Sequence, residues 1–186
     1  MNKDYFSKRS VSLLLTLPLV LVGCAEPANQ QAMIPGQIGI IGPSSPYKQN
    51  IRQVSGYGGE ETNPALASKI SKASFQAALE TSIRKAGLYS DQGQYSLRGD
   101  ILSLDQPLIG IDMRVSMTVR YNLIDDQGNV RFDETITSVY VAEFSEAFYG
   151  VERLQRANEG AARENINIFL RKMGVSGQAG VIGSIS

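Results

Sequence analysis

The most regular alternation of apolar and polar residues lies in the second half of the chain. It runs strictly through residues 111–124 and is largely repeated in residues 130–144. A period of two residues predicts strands with one buried face, and Gly128 between the two segments suits a hairpin turn. We therefore predict an antiparallel hairpin whose second face, which carries Arg114 and Arg120, is open to solvent or to a partner.

A helical pattern precedes this hairpin. The spacing predicts a helix from Pro64, capped by Thr62 or Asn63, to about Ala86, with Gly87 as its stop. Its apolar residues form two stripes on nearly opposite faces: Leu66, Ile70, Ala73 and Ala77 on one, and Phe75, Leu79, Ile83 and Ala86 on the other. One sheet covers only one stripe. The second stripe is covered by the loop or the other helix, or it docks a partner.

A second helix is predicted from Glu146 to Met173, ending at Gly174. Asn158 and Asn165 fall within its apolar stripe. They are either buried amides that fix the register of the helix or side chains at the margin of the stripe.

Shorter apolar runs at 38–41 and 95–104 predict two further strands, and residues 43–63, rich in Gly, Pro and Ser, predict a long loop. The element order is then β-α-β-β-β-α. This order predicts an α+β fold: a two-layer sandwich in which two helices cover one face of a mainly antiparallel four-stranded sheet.

The N-terminus has the composition of a bacterial secretory signal. Basic residues in the first ten positions precede an apolar run from Val11 to Val22. That run has 12 residues, and a membrane-spanning helix needs about 17–25. We predict residues 1–23 as a signal peptide that is removed.

Cys24 is the only cysteine in the chain and ends the sequence Leu21-Val22-Gly23-Cys24. This sequence resembles the lipobox of bacterial lipoproteins. The resemblance implies that Cys24 is the lipid attachment site and that palmitate-type acyl chains anchor the protein. By the enterobacterial sorting rule, Ala25 after the cysteine implies the outer membrane, with the domain facing the periplasm.

We predict a lipidated tether at 24–35, a domain at 36–174 and a flexible tail at 175–186. The layout resembles small Gram-negative envelope lipoproteins, namely the lipopolysaccharide-assembly lipoprotein and the YajG-type lipoproteins. Members of the first family often begin C-G-F-x-L, whereas this chain has Cys24-Ala25-Glu26-Pro27-Ala28. No binding residue is therefore carried over.

Composition excludes several classes of site. The chain has no histidine, which removes the Ser-His-Asp triad, the Cys-His pair and most zinc sites. Removal of the signal leaves 15 basic and 17 acidic residues, so we expect no nucleic-acid partner. We expect no catalytic residue, no metal and no cofactor. The carboxylate pairs Asp125-Asp126 and Asp133-Glu134 are the remaining enzymatic candidates.

The expected function is that of a non-enzymatic accessory or interaction subunit in outer-membrane assembly or transport, with a protein partner in the envelope. Its predicted partner surface comprises Leu66, Ile70, Phe148, Tyr149 and Arg153. Aromatic residues beside arginine are typical of interface hot spots, although they also close the open end of a sandwich. Two alternatives remain: a lipid- or glycolipid-binding lipoprotein, motivated by Met113 and Met117, and a cell-wall enzyme.

Overall fold

A four-stranded sheet covered by two helices forms the framework of the chain. The computed structural model describes residues 26–60, 69–107 and 109–176. In chain order the elements are β1 (Ile40–Ile41), β2 (Ile51–Tyr57), α1 (Lys72–Lys85), β3 (Tyr95–Asp105), β4 (Met113–Ile124), β5 (Val130–Ala142), α2 (Gly150–Lys172) and β6 (Val175–Ser176). The predicted α+β class, with a four-stranded sheet and two helices, is confirmed.

The sheet has the strand order β2-β3-β4-β5. The pairs β3–β4 and β4–β5 are antiparallel, whereas β2 runs parallel to β3 and reaches it through α1. The sheet is therefore mixed, with two of its three pairings antiparallel. The strands β1 and β6 form a separate two-stranded ladder.

The first strand of the main sheet lies where we predicted a loop. Residues 38–41 contribute only the short strand β1, and the interval 43–63 contains β2. The free edge of β2 is partly satisfied by the side-chain amide of Gln76 on α1. This amide accepts a hydrogen bond from Gly56 N at 3.1 Å and donates one to Val54 O at 3.2 Å. Such side-chain cover limits the pairing of an exposed edge with another chain.

Helix α1 begins later than predicted. Its cap is Ser71, whose hydroxyl oxygen accepts a hydrogen bond from Ser74 N at 3.1 Å. Ile70 therefore precedes the helix, and its side chain is fully buried in the core. The predicted caps Thr62 and Asn63 lie outside the described residues. The predicted stop is confirmed, because Gly87 has a φ of 74°, the left-handed conformation that favours glycine.

Helix α2 begins at Gly150 rather than at Glu146, and Gly174, with a φ of 86°, ends it as predicted. Asn158 and Asn165 are both fully buried, so the interpretation that they are buried amides is confirmed.

Asn165 binds helix α2 to the two strands beneath it. Its side-chain nitrogen donates to Met117 O, Ile136 O and the Ser138 hydroxyl, at 3.0 to 3.1 Å. Its side-chain oxygen accepts from the Tyr121 hydroxyl at 2.9 Å. Because a shifted helix would leave these buried groups without partners, the network favours one register of α2 on the sheet.

The segment before β1 packs on the domain. Within the interval predicted as a tether, Ala28, Met33 and Ile34 are buried, and Gln31–Met33 form a single 3-10 turn. For these residues the structure differs from the expected solvated spacer. We call residues 27–34 the strap.

At the other terminus, Val175 pairs with Ile41 in the β1–β6 ladder. The remainder of the predicted tail, residues 177–186, lies outside the described residues.

Candidate functional site

The strap follows helix α2 in a fixed direction. Three hydrogen bonds join them: Gln155 Nε2 donates to Pro27 O at 3.3 Å, Asn29 N donates to Glu159 Oε1 at 2.7 Å, and Arg163 Nη1 donates to Ala32 O at 2.7 Å. As the strap is followed back toward its N-terminus, its partners move toward the start of α2. The end that leads to Cys24 therefore lies near the first turns of this helix.

An exposed aromatic cluster occupies the connection between β5 and α2. Phe148 and Tyr149 are 73% and 71% exposed, and Phe144 is half exposed. The Phe148 ring centroid lies 5.9 Å from that of Phe144 and 5.4 Å from that of Tyr149, both in edge-to-face arrangements. We call Phe144, Phe148 and Tyr149 the aromatic corner.

Ile111 and Phe144, the first and last residues of the predicted hairpin strands, were expected on the inner sheet face. Both lie at this end of the sandwich and are exposed. Strand β4 begins at Met113, so Ile111 precedes it, and β5 ends at Ala142, so Phe144 follows it. The hydrogen bond from Phe144 N to Asp112 Oδ1, at 3.2 Å, brings the two chain segments together. Gly110 and Asp112, which flank Ile111, were the sequence signal that the strand had not yet begun.

Arg153 positions the aromatic corner from below. Its side chain is buried, at 5% exposure, and Nη1 donates to Ala147 O at 2.7 Å and to Phe148 O at 2.8 Å. Its guanidinium also lies 5.0 Å from the centroid of the Phe144 ring. Arg153 thus fixes the backbone of the corner and leaves the rings of Phe148 and Tyr149 facing outward.

The predicted partner surface is therefore only partly assembled. Phe148 and Tyr149 are exposed neighbours, as an interface requires. Ile70 belongs to the core, and Arg153 supports the surface rather than forming it, so both assignments are corrected. Leu66 lies outside the described residues, as does Cys24, the predicted lipid attachment site.

A polar groove of about 380 Å³ lies between the strap and α2. Its carboxylates are engaged within the protein: Glu146 accepts from the Tyr140 hydroxyl, Glu152 pairs with Arg156, and Glu159 accepts from the strap. The lining is polar, so the groove does not suit an acyl chain.

Three of the four candidate catalytic carboxylates, Asp125, Asp133 and Glu134, have structural partners. Asp125 accepts from Asn129 N at 2.8 Å and Gln127 N at 3.0 Å within the hairpin, and its Oδ2 lies 2.8 Å from Arg131. Desolvation alone would raise the pKa of Asp125, but these hydrogen bonds together lower it to about 2.

The second pair is divided between two environments. Asp133 binds Arg120 through two hydrogen bonds, at 2.6 and 2.8 Å, and this bonding lowers the pKa of Asp133. Glu134 lies 3.2 Å from Lys172 of α2. Adjacent residues of a strand face opposite sides of the sheet, so the two carboxylates do not act on one bond.

Across residues 26–60, 69–107 and 109–176, no group of three or more His, Cys, Asp or Glu side chains is arranged to hold a metal ion. Within the same residues, neither helix combines the length and apolarity needed to cross a bilayer.

No protein-family model matches the chain, and no curated protein matches it. Its structure is similar to that of protein XCC0632 from Xanthomonas campestris, of the family DUF330, with a TM-score of 0.50 and 11% identity over 76% of this chain and 94% of that one. It is also similar to the hypothetical protein CT253 from Chlamydia trachomatis (TM-score 0.49, 10% identity, 69% and 97% covered). A minor lipoprotein from Acinetobacter baumannii gives a TM-score of 0.44 and 14% identity, with 69% and 92% covered. At 11% identity, the likeness to XCC0632 shows the fold alone.

Proposed function

We propose that the protein is a lipid-anchored, non-enzymatic component of the bacterial envelope. Cys24 carries the acyl chains in the outer membrane, and the α+β domain faces the periplasm as an accessory subunit in assembly or transport of an envelope component. The observation that carries this proposal is the strap, which begins three residues after Cys24 and lies along α2, with its first residue, Pro27, bound to Gln155 in the second turn of that helix.

The strap supports anchoring because it gives residues 27–34, which closely follow Cys24 in the sequence, a defined place in the domain. Burial of Ala28, Met33 and Ile34 holds this segment against the domain. The domain is then presented to the membrane in one orientation, which suits a protein that works by contact.

The alternatives have less support from the described residues. The groove beside the strap is polar and Met117 is fully buried, which does not favour an acyl-binding cavity between sheet and helices. Of the carboxylates considered for cell-wall hydrolysis, Asp125 holds the hairpin, and Asp133 and Glu134 bind neighbouring cations.

Expression of the full chain in a Gram-negative host with labelled palmitate tests the anchor. We expect label in the wild-type protein and none in Cys24→Ser, and separation of the membranes on a density gradient should place the wild type in the outer-membrane fraction. An Ala25→Asp variant should move to the inner membrane. Wild-type protein that carries no label would refute the proposal.

Photo-crosslinking in intact cells tests the accessory role. A crosslinking residue at Val141, which pairs with Arg114 on the sheet face away from the helices, should capture a partner in stoichiometric amounts. One at Val130, an exposed residue at the far end of β5, should not. Equal capture at both positions, or none at any exposed position, would contradict an accessory subunit.

A further inference from the structure

The path of the strap limits where the anchor lies. Its contacts move from Arg163 back to Gln155, a distance along α2 of about 12 Å at 1.5 Å per residue. Pro27 is the third residue after Cys24, and three extended residues span at most ~10 Å. Tyr149 lies six residues before Gln155, about 9 Å along the same helix axis. The anchor and the aromatic corner are therefore at the same end of the domain.

From this placement we infer that the aromatic corner contacts the bilayer that holds Cys24, with Phe148 and Tyr149 at the level of the lipid headgroups. The inference rests on the proposed function, because the anchor supplies the proximity. Tyrosine is enriched at membrane–water interfaces, where its apolar ring and its polar hydroxyl are both satisfied, and a neighbouring phenylalanine adds apolar surface that inserts at the same level. The chain between Pro27 and Cys24 spans at most ~10 Å, so this end of the domain stays close to the bilayer. A protein partner of the aromatic corner would have to fit into that narrow space.

The support of the corner suits this role. Arg153 donates hydrogen bonds to the backbone carbonyls of Ala147 and Phe148 and so holds the loop in one conformation. The two exposed rings can therefore contact a surface without the entropic cost of first ordering the loop. Ile111, 76% exposed, adds apolar surface at the same end of the sandwich.

The charge around the corner determines which lipids it prefers. Asp112, Glu143 and Glu146 lie beside it. Arg153, whose guanidinium lies over the Phe144 ring, is buried. Contact therefore depends on burial of apolar surface rather than on attraction to anionic headgroups. Zwitterionic lipid should suffice, and a high content of anionic lipid should weaken the contact.

The chain contains no tryptophan, so one substitution gives a specific fluorescent probe. The acylated full chain carrying F148W is reconstituted into phosphatidylcholine vesicles whose acyl chains are brominated near the headgroup or near the chain end. The matched control is V130W: Val130 is 56% exposed and lies at the opposite end of β5. Twelve residues of strand separate the two ends by about 40 Å.

We expect blue-shifted emission for F148W and quenching by the shallow bromines but not by the deep ones, since interfacial side chains insert about 5–10 Å. V130W should keep the emission of a solvated indole and remain unquenched. Replacing half of the lipid with brominated phosphatidylglycerol should reduce the quenching of F148W.

Three results would overturn the inference. F148W could remain as unquenched as V130W in vesicles, or both could be quenched equally, which indicates adsorption without orientation. F148W could also be unquenched in vesicles and blue-shifted in isolated outer membranes, which assigns the corner to a protein and leaves the anchor intact. Absence of acylation at Cys24 is detected separately by palmitate labelling, and it refutes the proposed function together with this inference.

Discussion

Replacement of Asn165 by leucine tests whether the buried amide determines the placement of α2. Leucine has a similar volume and removes the four hydrogen bonds of the Asn165 side chain. The fully buried Tyr121 hydroxyl then loses its acceptor, and a buried unsatisfied group costs about 1–3 kcal/mol. The backbone carbonyls of Met117 and Ile136 also lose a donor, but they lie within paired strands, so their loss adds less to the cost. We expect N165L to lower the free energy of unfolding by about 2–4 kcal/mol.

The matched substitution is Tyr121→Phe. It keeps the ring that stacks on Phe169, with centroids 4.1 Å apart, and removes only the hydroxyl. This leaves the Asn165 carbonyl oxygen unpaired, again at about 1–3 kcal/mol. In the double variant both partners are gone, so its loss should be smaller than the sum of the single losses by about 1–3 kcal/mol.

The assay is urea unfolding of the purified mature protein, followed by far-ultraviolet circular dichroism at pH 7. Four proteins complete the cycle: wild type, N165L, Y121F and the double variant. A double loss equal to the sum of the single losses within about 0.5 kcal/mol would show that the two side chains do not couple and would refute the reasoning.

The same tyrosine gives a second readout at alkaline pH. Burial raises the pKa of Tyr121 well above its usual value of 10.0. The native state then holds a proton that the unfolded chain releases, so stability is present below pH 10 and falls as pH rises beyond it. Y121F should lose part of this decline; an unchanged alkaline profile would contradict the predicted burial of an ionisable hydroxyl.

Three further predictions concern the hairpin, the groove and the corner. The pKa of Asp125 is lowered to about 2, so its contribution to stability is present above its ordinary value of 3.8 and is lost toward pH 2; in urea titrations D125N should show a flatter profile over that interval. A Cβ at Gly160 would lie less than 3.0 Å from three atoms of the Tyr140 ring, so G160A should destabilise the wild type by about 1 kcal/mol, yet stabilise a Tyr140→Ala background through helix propensity; the same sign in both backgrounds would contradict this. R153M removes two hydrogen bonds to the corner and should cost about 1–3 kcal/mol; chymotrypsin should then cleave after Phe148 faster than in the wild type.

The antiparallel part of the sheet was predictable from sequence because its signal is local and repeated. In β4 the alternation of buried and accessible residues follows the sequence from Met113 to Ile124. The glycines at 87, 128 and 174 all adopt positive φ at the predicted turn or helix ends. These features need no knowledge of the rest of the fold.

Strand β2 was not predictable in the same way. It places only Ile51, Val54 and Gly56 in buried positions, and it pairs in parallel with a strand that follows a whole helix. Part of its edge is satisfied by a glutamine side chain from α1. The decisive contacts are tertiary, so the local composition resembled that of a loop.

The candidate site was half predictable. The exposed aromatic residues Phe148 and Tyr149 were found from their unusual clustering beside charged residues. Ile70 was misplaced because a helical pattern was extended through residues that precede the cap at Ser71. Arg153 was wrongly predicted to be exposed because arginine is almost never buried unless paired. Here the backbone carbonyls that accept its hydrogen bonds belong to the irregular corner itself, which the sequence pattern does not reveal.

The strap has a consequence for how far the domain can search. A flexible linker of 12 residues would place a domain about 20 Å from its attachment point on average. The three residues before Pro27 allow a distance of at most ~10 Å. Under the proposed acylation of Cys24, the domain would move with its lipid and meet neighbours by lateral diffusion in two dimensions. A partner must then expose its binding surface at a fixed height above the bilayer. That height acts as a selection criterion independent of the chemistry of either surface, and lengthening the chain between Cys24 and Pro27 would relax it.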